Sequence, residues 1–219
     1  MKLPGRIASV DIIESRDLTP HATSSYLHLH ELTMQTRYND GTRSAPYRYE
    51  GVTRKHLDAV VVVLVAVVDD VPHVCLRTCI RPPLLMRERL DLPQPDPTRL
   101  FALLELPAGL IEDGDSGDSG LFERAAAETL EEAGYRVSPS AFAKLGAAPF
   151  NTPGVMAERC FYVRADIEDI HSRTSPEGDG SPLEVGGDIV WLPLAEAIAM
   201  CDQGEILDMK TELGLRRLA

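Results

Sequence analysis

The chain has 219 residues, 44% hydrophobic and 26% charged, enough for one large domain, or one domain with a smaller appendage, around a real core. Its 16 glycines and 16 prolines are ordinary for a folded protein with long loops, which excludes a collagen-like or wholly disordered chain. With 34 acidic against 22 basic residues the formal charge is -12, so net repulsion of phosphate excludes a long nucleic-acid groove, though not a small phosphorylated ligand held by local cations or a metal.

The sequence turns polar within a few residues of Met1-Lys2, unlike a secretory leader. Residues 1–56 read as an all-β appendage: 26–34 partly alternates with period two, Asn39-Asp40-Gly41 is a hairpin turn, and 44–52 is extended. Two buried strands follow at 59–68 and 73–80, joined at Asp69-Asp70. The first is the longest apolar run, half what a transmembrane helix needs, and its valines indicate a buried strand. Residues 81–99, rich in proline, form a long loop. A strand at 102–106 leads through Pro107-Ala108-Gly109 into the acidic, glycine-rich 112–120. A helix then spans 120–134, with Asp118 or Ser119 as its N-cap and Gly134 as its stop. Strands at 143–148, 159–165 and 189–192, a loop at 169–187, and helices at 194–202 and 206–218 complete a mixed α/β (α+β) chain. Cys75, Cys79, Cys160 and Cys201 show no C-x-x-C spacing and read as reduced core residues of a soluble, cytoplasmic protein with no membrane partner.

The polar face of the 120–134 helix carries the chemistry. At about 100° per residue, Arg124, Glu128, Glu131 and Glu132 share one arc. Neighbouring carboxylates at i, i+3 and i, i+4 repel by about 0.2–0.5 kcal/mol per pair. Such a cluster supplies the hard oxygen ligands a divalent cation needs; taken alone, the same spacing also describes a solvated acidic face.

The surrounding residues point further. Residues 109–115 (Gly-Leu-Ile-Glu-Asp-Gly-Asp) and 127–135 (Ala-Glu-Thr-Leu-Glu-Glu-Ala-Gly-Tyr) resemble the Nudix box, G-x5-E-x7-R-E-U-x-E-E-x-G-U, where U is bulky and apolar. Leu104-Glu105-Leu106-Pro107-Ala108-Gly109 is similar to the strand leading into that box in the ADP-ribose pyrophosphatase group. Ile80-Arg81-Pro82, Asn151-Thr152-Pro153-Gly154 with Glu158, residues 190–194 and Asp208-Met209-Lys210-Thr211 resemble other segments of that group. Two features depart from the pattern: eleven residues, not seven, separate Asp115 from Ala127, and Ala127 replaces the box arginine. Arg124, one turn earlier, is the candidate to brace the acidic cluster in its place, with a solvated surface arginine as the alternative.

The resemblance implies a Nudix-type α/β/α sandwich with a mixed sheet (57–219) and an N-terminal antiparallel β appendage (1–56) that serves a homodimer. It implies Mg²⁺- or Mn²⁺-dependent hydrolysis of ADP-ribose or a related nucleoside diphosphate sugar to a nucleoside monophosphate and a sugar phosphate. Glu128 and Glu132 are the first metal ligands, with Glu131 in support and the Ala108 carbonyl carried over from the box lead-in. Glu184, ahead of Glu177 and Asp179, is the candidate general base. Arg81 and Arg77 are candidates to meet phosphate, with surface ion pairing as the alternative. Glu105 is a candidate to contact substrate or orient metal-bound water; Phe150, Tyr47 or Tyr49 is a candidate to stack on a base. His28 and His30 read as structural. The competing reading is a catalytically silent nucleotide-binding module, motivated by Ala127.

Overall fold

A computed structural model describes residues 6–19, 26–176 and 188–219. The chain divides into two units, one of residues 1–57 with 150–158, the other of 58–149 with 159–219.

In the first unit, β1 (Ile7–Asp17), β2 (His28–Tyr38) and β3 (Tyr47–Thr53) form an antiparallel sheet in that order. The 39–41 turn is present, with Gly41 at φ 84°, where a side chain would be strained. Residues 150–158 belong to this unit through the Val52 N–H to Val155 carbonyl bond (2.8 Å), the Tyr49 hydroxyl to Gly154 carbonyl bond (2.7 Å) and the Arg54–Glu158 ion pair.

The second unit is built on β4 (Ala59–Val68), whose first eight residues are buried. A strand with no polar face must be covered on both sides. Val60, Val62 and Leu64 meet Leu121, Ala125 and Ala133 on one face, while Val61, Val63 and Val65 meet Ala197, Ile206 and Leu215 on the other. Those partners come from α2 (Gly117–Glu128), which runs into a π-helical turn at Thr129–Ala133, and from α3 (Leu194–Gln203), α4 (Met209–Arg216) and the connection between them, which carries Ile206. Between them lies a seven-stranded mixed sheet. Its main order is β10 (Ile189–Pro193), β5 (Val71–Ile80), β4, β9 (Cys160–Asp166), β8 (Ala143–Lys144); β6 (Ala102–Glu105) also pairs with β5, and β7 (Ala108–Leu110) with β4. β4 is parallel to β9 and antiparallel to β5. The chain thus holds the expected α/β/α sandwich with a mixed sheet and, as a separate unit, an antiparallel β sheet.

Several boundaries differ from expectation. The 81–99 segment is not all loop: α1 (Pro82–Met86) and a 3₁₀ turn at Arg87–Arg89 open it, since proline suits the first turn of a helix. The glutamate helix begins at Gly117 with Ser116 as N-cap, not at Asp118 or Ser119. The strand expected over 143–148 is paired only at Ala143–Lys144, because Gly146 turns the chain at φ 79°. Among the described residues no helix is long and apolar enough to cross a membrane.

Candidate functional site

The site begins with backbone. β7 pairs with β4 so that Ala108 faces Val61 and Gly109 faces Val60, and the Val62 N–H bonds the Pro107 carbonyl at 2.8 Å. This fixes the peptide from 107 to 110 against the most buried strand of the unit. Beyond it the chain closes a turn in which the Glu112 N–H donates to Asp115 Oδ2 (2.8 Å) and the Asp115 N–H to the Glu112 carbonyl (3.0 Å). The first turn of α2 packs back onto that loop; a Cβ on Gly120 would collide with the Asp115 backbone. At the other end, the π-helical turn closes on Gly134 in the left-handed region at φ 78°.

Two glutamates project from this helix toward the fixed peptide. Glu132 is 8% exposed and both its oxygens are engaged: Oε1 accepts from Arg77 Nη1, and Oε2 from the Ala108 N–H at 2.8 Å. Glu128, 9% exposed, lays its carboxylate over Gly109, where any Cβ would occupy the same space. Glu131 is half-buried. Arg124 donates from Nε to Asp115 Oδ2 at 2.8 Å, lies 3.2 Å from Glu112 and 3.8 Å from Glu128. Burial opposes its charge, but Asp115 and then Glu112 and Glu128 outweigh this and raise its pKa. The arginine one turn before the glutamates therefore meets the loop and the helix together, and Ala127 is half-buried on the same helix.

A second cluster lies at the far end of β5. Glu105, 1% exposed, accepts from Arg81 Nε and Nη2, both at 2.7 Å, and from Lys210 Nζ at 3.2 Å. The hydrogen bonds to Glu105 raise the Arg81 pKa further above its ordinary value. Lys210 also donates to Asp208 Oδ1 at 2.7 Å. Burial opposes the Lys210 charge, but Asp208 and Glu105 outweigh it and its pKa is raised.

The structure thus brings together Ala108, Glu128, Glu132 and Arg77, with Arg124 beside Glu128. It places Arg77 against Glu132, only 4% exposed, while the Arg81 side chain stays 45% exposed. Phe150 lies in the first unit and is exposed. Tyr47 and Tyr49 are engaged within that unit, Tyr47 with the Thr36 hydroxyl at 3.0 Å and Tyr49 with the Gly154 carbonyl. His30 bonds Thr53 at 2.7 Å, and His28 lies 3.6 Å from Asp17. Glu177, Asp179 and Glu184 lie outside the described residues. Sequence reasoning missed Lys210 and Asp208 as part of a charged cluster, and the pairing of Arg77 with Glu132; no local pattern along β5 signals that pairing, because its partner comes from a helix 55 residues away.

Among the described residues no three His, Cys, Asp or Glu side chains form a closed cation cage. Mg²⁺ does not require one, since it is commonly held by one or two carboxylates together with waters and substrate phosphates. The donor set fits such an ion: hard oxygens on Glu128 and Glu132, and a glycine that leaves room for the Glu128 carboxylate beside the 108–109 peptide.

No protein-family model matches the chain, and no curated protein matches it. A solved structure described as the crystal structure of an ADP compounds hydrolase covers 100% of this chain and 95% of its own, with a TM-score of 0.64 at 18% identity. That likeness shows a shared fold along the whole chain.

Proposed function

We propose that the chain is a divalent-metal-dependent hydrolase that cleaves the diphosphate of ADP-ribose or a related nucleoside diphosphate sugar, giving a nucleoside monophosphate and a sugar phosphate. The observation that carries this reading is the convergence of Glu128 and Glu132 on the 108–109 peptide, with Gly109 leaving space for the Glu128 carboxylate. The whole-chain fold likeness to an ADP compounds hydrolase supports the same class of substrate.

Glu128 and Glu132 hold the metal, with Glu131 and the Ala108 carbonyl in support. Bound there, Mg²⁺ or Mn²⁺ neutralises phosphate charge and lowers the pKa of a coordinated water. Arg77 offsets the charge of Glu132 and fixes its orientation from inside the fold. Arg81, anchored through two donors, presents its remaining guanidinium edge to a phosphate oxygen. Glu105 acts by orienting Arg81 and is itself enclosed. Glu184 is the proposed general base. The sheet of the first unit serves a homodimer, and the reduced cysteines suit a cytoplasmic setting.

Product analysis with ADP-ribose, UDP-glucose and GDP-mannose, each with Mg²⁺, Mn²⁺ or EDTA, tests the reading. Metal-dependent release of a nucleoside monophosphate and a sugar phosphate supports it. Tight metal-dependent nucleotide binding with no turnover would favour a silent binding module, in line with Ala127. Glu184→Gln should cut turnover at least 100-fold with KM little changed; persistent turnover removes Glu184 from the mechanism.

A further inference from the structure

We propose that Lys210 and Asp208, at the start of the last helix, are positioning residues for Arg81 and act on it through Glu105. The inference rests on the reading above, in which Arg81 meets the diphosphate.

Glu105 is a carboxylate with almost no access to water, and burying such a charge is costly unless it is paired on every side. Its pairing is divided between two cations from different elements. Arg81 grips both oxygens from the end of β5, and Lys210 takes Oε2 from the start of α4. Asp208 holds the ammonium in place at 2.7 Å. Asp208 is also the N-cap of α4: its Oδ2 accepts from the Thr211 N–H at 2.9 Å and the Thr211 hydroxyl at 2.7 Å. The Thr211 hydroxyl oxygen in turn accepts the N–H of Leu106, the residue after Glu105, at 2.9 Å. The helix start therefore grips both the side chain of Glu105 and the peptide beyond it. A Cβ on Gly214 would meet Leu106 Cδ1, so the Leu106 side chain packs onto the helix at this glycine.

The consequence falls on Arg81. Two of its three guanidinium nitrogens are committed to Glu105, and the outward edge that remains can point in one direction only while the Glu105 carboxylate plane is fixed. Lys210 fixes that plane. It also balances the second carboxylate of the cluster, so that Arg81 is not drawn wholly into neutralising a buried charge.

The test compares wild type with Lys210→Met, Lys210→Arg and Asp208→Asn, measuring KM and kcat for ADP-ribose with Mg²⁺ and the Kd of inorganic pyrophosphate with Mg²⁺ by calorimetry. Asparagine preserves the helix cap while removing the charge that holds Lys210, so Asp208→Asn serves if Lys210→Met does not fold. Lys210→Met should raise KM and the pyrophosphate Kd about 10-fold, as loss of a charge-assisted hydrogen bond would. Its kcat should stay within about 3-fold, Lys210→Arg should recover most of the loss, and Asp208→Asn should raise both constants by roughly 3-fold. Lower thermal stability with KM and Kd unchanged would overturn the inference, as would a loss confined to kcat. If wild type binds pyrophosphate but hydrolyses no donor, the proposed reaction fails, while the shift in Kd still decides the role of Lys210. If it binds none, Arg81 meets no diphosphate and the inference falls with it.

Discussion

Arg124 touches carboxylates from two stretches of chain: Glu112 and Asp115 in the loop before α2, and Glu128 on the following turn. Removing it leaves three neighbouring negative charges without their shared cation. Arg124→Ala should therefore weaken Mg²⁺ binding and lower turnover by about 10-fold or more, with Lys a partial substitute. Titration of activity against Mg²⁺ checks this, and unchanged behaviour would make Arg124 an ordinary surface residue. Gly109→Ala is the sharper case. Any Cβ there enters the space of the Glu128 carboxylate, so activity should fall at least 100-fold while the melting temperature stays within a few degrees. The proximity of Arg124 to Glu128 was legible from i, i+4 spacing. Its hydrogen bond to Asp115 was not, because it depends on how the loop inserted between Asp115 and Ala127 folds back, and periodicity carries no information about that. The alternation of β5 could not say that a buried glutamate from another element would claim Arg77.

At the scale of elements, β4 was legible because an unbroken apolar run rich in valine is best placed in the middle of a sheet covered on both sides. Leu64, fully buried in that strand, should cost about 2–5 kcal/mol when cut to alanine, measurable by urea unfolding; a loss under 1 kcal/mol would contradict so tight a core. The glutamate helix was legible as a helix but not in its details. Regular 3.6-residue geometry was assumed through Gly134, whereas a π-helical turn occupies Thr129–Ala133. It begins where the Thr129 hydroxyl donates to the Ala125 carbonyl at 2.6 Å, a back-bond that competes for an acceptor of the helical ladder. Such turns concentrate at functional sites, and here one re-aims Glu131 and Glu132 relative to Glu128. The early start of the helix was hidden because glycines at 117 and 120 argue against a helix interior. Gly120 is there for the close approach of Asp115.

At the scale of the molecule, the expected architecture could be recognised because local patterns and family-like segments agreed along nearly the whole length. What stayed out of reach was set by long-range packing, including the joining of 150–158 to the N-terminal sheet. β1 exposes Val10, Ile12 and Ile13, at 47%, 61% and 55%, and among the described residues it pairs only with β2, which leaves its other side open to a neighbouring strand. On the homodimer reading, light scattering should give twice the monomer mass, and Ile12→Glu should shift it toward monomer; a monomeric wild type would contradict that reading. Alkaline stability follows from the core thiols. Burial pushes Cys75 and Cys79 up to about 12 from the ordinary 9.0. Their contribution is complete below pH 9 and is lost as pH rises towards 12, because the unfolded chain releases protons that the folded one retains. Melting temperature should therefore decline across that window, and a flat profile would contradict the burial of these thiols.

On the proposed reading, Glu128 and Glu132 beside the 108–109 peptide make this fold a metal-dependent diphosphate hydrolase. AMP release from ADP-ribose at saturating Mg²⁺, measured for wild type, Glu128→Gln and Glu132→Gln with folding checked by circular dichroism, tests this at its core. Wild type should turn over in a way that EDTA abolishes, and either folded variant should fall by at least 100-fold. Variants as active as wild type, or a wild type that releases no AMP, would contradict it.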